Sequence, residues 1–249
     1  MYRTLQPALI IKTLATLNER IEERFPGSGL GKVCADLVNL ARDTAARVQT
    51  IAKPNVALRS LVWLSVATSV ALLTSVALMI FNSTKASDDL FSTVQGIDSG
   101  FNILVLTGAT LFFAVSLEAR LKQRKALAAL HEFRSIVHVI DMHQLTKDPS
   151  MLGAARTSAS PERDMTPFEL TRYLDYCSEM LSLTAKCAAL YAEKLSDPVV
   201  IDTVGDIERL STDLSSKIWQ KITIVQTLEG RDLPLPVAAP PRQPFIPSA

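Results

Sequence analysis

Along most of this chain, apolar residues return every three or four positions, the period of an amphipathic helix. Two stretches drop the polar positions altogether. The first stripe is Ile10, Leu14, Leu17, Ile21 and Phe25, ended by Pro26-Gly27 and the glycine-rich turn 27–31. A second runs through Val33, Leu37, Leu40, Thr44 and Val48 until Lys53-Pro54 closes it. Residues 1–53 therefore predict an N-terminal helical hairpin.

The unbroken apolar stretches come next. Ser60–Phe81 has 22 residues without a charge, and Ser99–Leu117 has another 19. At about 1.5 Å rise per residue they measure roughly 33 and 28 Å, close to a hydrocarbon core of about 30 Å. The expectation is two transmembrane helices, 57–81 and 99–117, joined by a short external loop over 82–98. Lys12 interrupts the short apolar patch Ala8–Ile11, so residues 1–20 do not read as a signal sequence. Nine Lys/Arg precede residue 60, whereas the loop carries Lys85 against Asp88, Asp89 and Asp98. Arg120, Lys122, Arg124 and Lys125 follow the second stretch at once. The positive-inside rule puts both termini in the cytoplasm of a cell whose inner membrane holds the hairpin. Arg59 and the four basic residues after Leu117 are expected to anchor at anionic headgroups.

Within the uncharged stretches Ser60–Phe81 and Ser99–Leu117 no residue is ionisable, which argues against proton relays and ion-coupled transport. Small and hydroxylated residues recur instead: Ser65, Ser69, Ala71 and Ser75 in the first, Thr107, Thr110 and Ala114 in the second. Such residues suit close helix packing, either within the hairpin or between copies around a hydroxyl-lined conduit.

Between Gly108 and Pro149 the chain has neither glycine nor proline. The second span is therefore expected to continue as a cytoplasmic stalk over 118–148, one helix from about 100 to 147, packed on the N-terminal helices. Residues 149–165 read as a small-residue linker. Thr166-Pro167-Phe168-Glu169 is a helix start with a capping box. Leu170, Leu174, Cys177, Leu181, Thr184, Ala188, Tyr191 and Leu195 then hold alternating four- and three-residue spacing, a coiled-coil-type seam. After Asp197-Pro198 a similar stripe runs through Val200, Val204, Ile207, Leu214, Ile218, Ile222 and Val225, so 166–228 predicts a C-terminal helical hairpin available for self-association. Residues 229–249 hold six prolines and predict an unpacked or extended tail, with docking of a partner as the alternative. The fold class is all-α: a two-pass helical hairpin with a cytoplasmic helical bundle and a disordered Pro-rich tail.

Composition narrows the function. Hydrophobic residues make up 48% of the chain and charged ones 20%, fewer than the quarter or so usual in soluble domains. A net charge of +1 gives no electrostatic basis for nucleic-acid binding. Cys34, Cys177 and Cys187 cannot form a disulfide framework, and all three fall on the cytoplasmic side. The glycine turn 27–31 lacks the preceding strand of a dinucleotide site, and no phosphate-binding loop, nucleophile elbow or HExxH occurs.

All three histidines lie between His131 and His143. His131, His138 and Asp141 share one side of the predicted stalk and are the best metal-ligand candidates. His143 is turned about 140° from His138, so a single helix cannot converge all of them. The competing reading is a packing stripe in which His138 bonds Asp141 and Arg134 pairs with a carboxylate, or a site titrating near neutrality. No catalytic residue, cofactor or small-molecule substrate is expected. The expected partners are the lipid bilayer and either further copies or a membrane-complex protein. The chain reads as a non-enzymatic membrane-anchored scaffold or accessory subunit, with an oligomeric pore as the alternative.

Overall fold

The computed structural model describes residues 4–83, 90–149 and 165–228. Among them there is no strand. Six helices follow one another: α1 (Pro7–Arg24), α2 (Gly29–Ala52), α3 (Val56–Ser83), α4 (Leu90–Leu145), α5 (Pro167–Lys194) and α6 (Pro198–Leu228).

Local chemistry sets the boundaries. Proline stands at the first turn of α1, where a missing N–H costs nothing. At the α1–α2 turn Gly27 takes φ +69°, a left-handed conformation that glycine adopts freely. Ser28 then caps α2, its Oγ accepting from Gly31 N at 3.1 Å. Thr166 and Glu169 complete the capping box of α5: Glu169 N donates to Thr166 Oγ1 (3.2 Å) and Thr166 N to Glu169 Oε2 (2.8 Å). Asp197 starts α6 by accepting from the backbone of Val199 and Val200.

Two element boundaries differ from those predicted. α3 runs on to Ser83 and α4 begins at Leu90, so the loop placed at 82–98 becomes helix over 90–98. Leu90–Asp98 has no proline and one glycine, Gly96, too weak an interruption to stop a helix. α4 is thus one rod of 56 residues, roughly 84 Å long. The central part of the linker and the Pro-rich tail, residues 150–164 and 229–249, lie outside the described residues, as does 84–89.

The distal half of α4 packs with α1, α2, α5 and α6 into a five-helix bundle. α5 is its hub, touching all four of the others. Gln123 meets Asp197 near the start of α6 and Gln144 meets Lys221 near its end, so α4 and α6 run parallel. Arg20–Glu179 and Leu5–Glu193 set α1 antiparallel to α5. The core holds Leu14, Leu17 and Ile21 from α1, Leu37 from α2, and Leu130, Phe133, Val137 and Ile140 from α4, with the α5 and α6 stripes between them. These α4 positions recur at three and four residues, placing one wall of the rod against the bundle.

The proximal half of α4 has the opposite character. It pairs with α3 and otherwise meets no protein, and its large apolar side chains stand exposed, Phe112 at 76% and Leu106 at 68%. Among the described residues α4 is the one helix long and apolar enough to cross a membrane. Its most apolar window has a mean hydropathy of 1.9 and is 6% buried. A soluble core helix is apolar because it is covered, and this one is not. α3 has a shorter apolar stretch, Arg59–Ser75.

Candidate functional site

Where the apolar half of α4 gives way to the bundle, charged groups gather around Glu118. Its side chain is 17% exposed and accepts from Lys122 Nζ at 2.8 Å. The Asn55 backbone N–H donates to the same carboxylate at 3.2 Å, and Arg59 Nε stands 4.0 Å away. The Lys122 ammonium first, then the Asn55 N–H, hold the Glu118 carboxyl below the usual carboxylate range. This collar clamps the α2–α3 junction to α4. Of the residues expected to anchor at headgroups, Arg59 and Lys122 face Glu118, while Arg120, Arg124 and Lys125 are exposed. Sequence reasoning passed over Glu118, although its place four residues before Lys122 was the available signal.

A second polar cluster closes the far end of the bundle. Lys221 Nζ donates to Gln144 Oε1 (2.6 Å) and to its backbone oxygen (2.9 Å). Gln144, only 2% exposed, donates in turn to Asp141 Oδ1 at 2.5 Å. Asp141 therefore bonds Gln144 one turn on, and the expected His138–Asp141 bond is not made. His131 and His138 are exposed on the outer side of α4, and Arg134 makes no ion pair among the described residues. His143 turns inward: its Nδ1 lies 3.4 Å from Tyr173 Oη, and its ring sits against the first residue of α2, where a Cβ on Gly29 would come within 2.6 Å. Nowhere among the described residues do three His, Cys, Asp or Glu side chains converge as a metal site requires.

Beside this cap, Phe25 stacks edge-on against Tyr173 (5.5 Å) and Tyr176 (6.3 Å). The Arg20 and Arg172 guanidiniums lie over the Tyr176 ring at 5.2 and 5.1 Å. Burial alone would raise the Tyr176 phenol; the Arg172 and Arg24 guanidiniums outweigh it and bring it below its ordinary value. Arg20 is held by Glu179 through two contacts of 3.0 and 3.2 Å, and Arg172 by Asp175 at 2.7 Å. The Arg20–Glu179 pair ties α1 to α5.

The seam is spent inside the chain. Leu170, Leu174, Cys177, Leu181 and Tyr191 on α5, with Ile207, Leu214 and Ile218 on α6, are all buried against the chain's own helices, and Leu195 is half-buried at the end of α5. A seven-residue repeat records that a face is covered without saying by what; here the covers are α1, α2, α4 and α6. The same burial pushes the Cys34, Cys177 and Cys187 thiols up to about 12, leaving too little thiolate for nucleophilic work.

In the apolar hairpin, Ser65, Ser69 and Thr107 are half-buried, Ala114 is buried, and Ala71, Ser75 and Thr110 are exposed. The hydroxyls do not bond across an interface. Ser65, Ser69 and Ser75 donate to the carbonyls of Val62, Ser65 and Leu72, and Thr107 and Thr110 to those of Ile103 and Leu106. Each satisfies itself on the preceding turn, the local bond open to a Ser or Thr in a helix.

Together the Glu118 collar and the Lys221–Gln144 cap hold α4 to the α2–α3 junction and to α6. No protein-family model matches the chain, nor does any curated protein or solved structure.

Proposed function

We propose that the chain is a non-enzymatic two-pass membrane protein in which α3 and the proximal half of α4 anchor the five-helix bundle at the cytoplasmic face of the inner membrane. There it serves as a scaffold or accessory subunit. The observation that carries this reading is the change in character along α4. One continuous helix is bare and apolar over its first half, and is walled by α2, α5 and α6 over its second. The Glu118 collar stands at the change, with Arg120, Arg124 and Lys125 exposed beside it, where a cytoplasmic headgroup layer would meet them.

α3 is assigned as the second crossing because it pairs with α4 along the same stretch and exposes Trp63 at 73% and Leu64 at 64%. Two apolar helices bare on their outer faces need a solvent other than water.

Topology labelling tests the proposal. The native cysteines are buried and can stay. A single new cysteine at Asp98 should react with a membrane-impermeant maleimide on spheroplasts, and one at Lys125 only after permeabilisation. Both reacting from the same side, or release of the protein by alkaline carbonate, would refute it.

A further inference from the structure

α4 and α6 lie parallel, and their outer faces carry opposite charge. At about 100° per residue, Arg120, Arg124, His131, Arg134 and His138 fall within roughly 80° of one another on α4, away from its buried stripe. All five are exposed, and among the described residues none of the three arginines makes an ion pair. The carboxylates that flank them are engaged, Glu132 by Arg47 and Asp141 by Gln144. On α6, Asp202, Asp206 and Asp213 are exposed within roughly 40° of one another. Arg209 holds Asp206, and Lys217 follows one turn after Asp213, so this strip sets three carboxylates against two cations.

The two strips lie side by side on one face of the bundle. Arg134 is turned only about 20° from Gln123, which meets α6, and Asp206 about 60° from Lys221, which meets α4. Counted from those contacts, Asp202, Asp206 and Asp213 stand about level with residues 127, 131 and 137 of α4, beside its cationic strip. Further along the same face Met142 and Leu145 of α4 and Ile224 and Leu228 of α6 are exposed. Headgroups can account for Arg120 and Arg124 at the collar. His131, Arg134 and His138 stand about 20–30 Å beyond Glu118, past the roughly 10 Å over which a charged surface acts through salt.

We infer that the α4–α6 face is the contact between two copies of this chain, related by a two-fold axis parallel to α4. Rotation about such an axis leaves heights unchanged and sets α4 of each copy against α6 of the other. Arg124 then faces the partner's Asp202, and Arg134 lies between the partner's Asp206 and the partner's Asp213. The four exposed apolar side chains meet their counterparts beyond the charges. Setting α4 on α4 would instead oppose cations, which charge complementarity forbids. The inference rests on the crossing proposed above, because a bilayer holds every copy upright at one height and excludes antiparallel pairing. Copies already aligned in one plane lose less freedom on pairing, so a modest face suffices.

The pairing rule can be tested by charge reversal on two differently tagged full-length chains, co-expressed, extracted in mild detergent and weighed by native mass spectrometry. The unaltered chain should be a dimer. Arg134→Glu alone opposes carboxylates and Asp213→Arg alone opposes guanidiniums, so each should self-associate about tenfold more weakly. Mixed, the two variants should form a heterodimer as tight as the original, since both cross-copy pairs are then of opposite charge. Both sites are exposed, and circular dichroism of each variant alone should match the original. Topology labelling of each variant reads the membrane crossing separately, so failure of that reading appears in the maleimide pattern and failure of the dimer in the copy number. A monomer, a ring of three or more, undiminished self-association of either variant, or no heterodimer from the mixture overturns the inference.

Discussion

Leu181 lies at the centre of the α5 seam with no measurable exposure, and it separates two accounts of that seam. If the face is buried within the chain, Leu181→Ala removes three buried carbon atoms from a packed core. Substitutions of this kind cost about 2–5 kcal/mol, the spread reflecting how far the surroundings collapse. Neighbours from several helices resist collapse here, and alanine's better helix propensity returns a few tenths. The expected loss is about 3 kcal/mol. For a bundle of this size each kcal/mol moves the melting temperature by roughly 2–4 °C, so Tm should fall by about 6–12 °C. Thermal unfolding of the full chain in nanodiscs, followed by far-ultraviolet circular dichroism, reads this directly. Native mass spectrometry of the same sample supplies the control, since the copy number should not change. An assembly that falls to smaller species with Tm held would refute the reasoning and return the seam to an intermolecular role.

Other perturbations have equally definite expectations. The raised thiols of Cys34, Cys177 and Cys187 ionise near pH 9 in the unfolded chain and near 12 in the fold. Stability should therefore be unaffected below about pH 8 and fall as pH climbs from about 9 to 12, as denaturant titrations at several pH values would record. At neutral pH the three should resist alkylation until the chain unfolds, and fast labelling of native protein would contradict their burial. Glu118→Gln removes the charge that Lys122 and Arg59 face. A loss of about 1 kcal/mol is expected near neutrality. Because the folded carboxyl sits below its usual range, that difference is present above ordinary carboxylate values and should vanish as pH falls through the lowered one, so an acid-side Tm series distinguishes it from a packing defect. Thr166→Ala breaks the reciprocal cap of α5 and should cost about 1 kcal/mol. Hydrogen exchange should quicken at Glu169 and Leu170 while the middle of α5 stays protected.

The parts of this fold that one helix determines for itself were legible in the sequence. The stripe Ile10, Leu14, Leu17 and Ile21 is buried because a 3.6-residue period puts those positions on one side whatever covers them. Thr166–Glu169 caps α5 because both partners lie within a single turn. What escaped was pairing across long sequence separations. Tyr173 meets His143 across 30 residues and Lys221 meets Gln144 across 77; neither partner announces the other. The histidines were misjudged in the same way. His138 and Asp141 share a face, but Gln144 shares it too and lies three residues after Asp141, near enough to take the carboxylate while His138 stays exposed. The α4 start was misplaced because polar residues after Leu90 read as loop. Nothing in Leu90–Asp98 stops a helix: it has no proline and a single glycine, Gly96.

The continuity of α4 has a mechanical consequence for any role at a membrane. A loop at residue 118 would let bundle and span move separately. Instead the chain passes from Leu117 to Ala126 as helix, with Glu118 clamping the α2–α3 junction to it and Gln123 holding Asp197 at the start of α6. The α2–α3 junction and the start of α6 are thus both fastened within two turns of one point on the rod. Tilting α4 in the bilayer must tilt the bundle with it, because no described residue between Gly108 and Pro149 is a glycine or proline that could serve as a hinge. In the proposed membrane setting, a partner that bound the bundle would act on the orientation of α4, and a change in bilayer thickness would act on the bundle through the same rod.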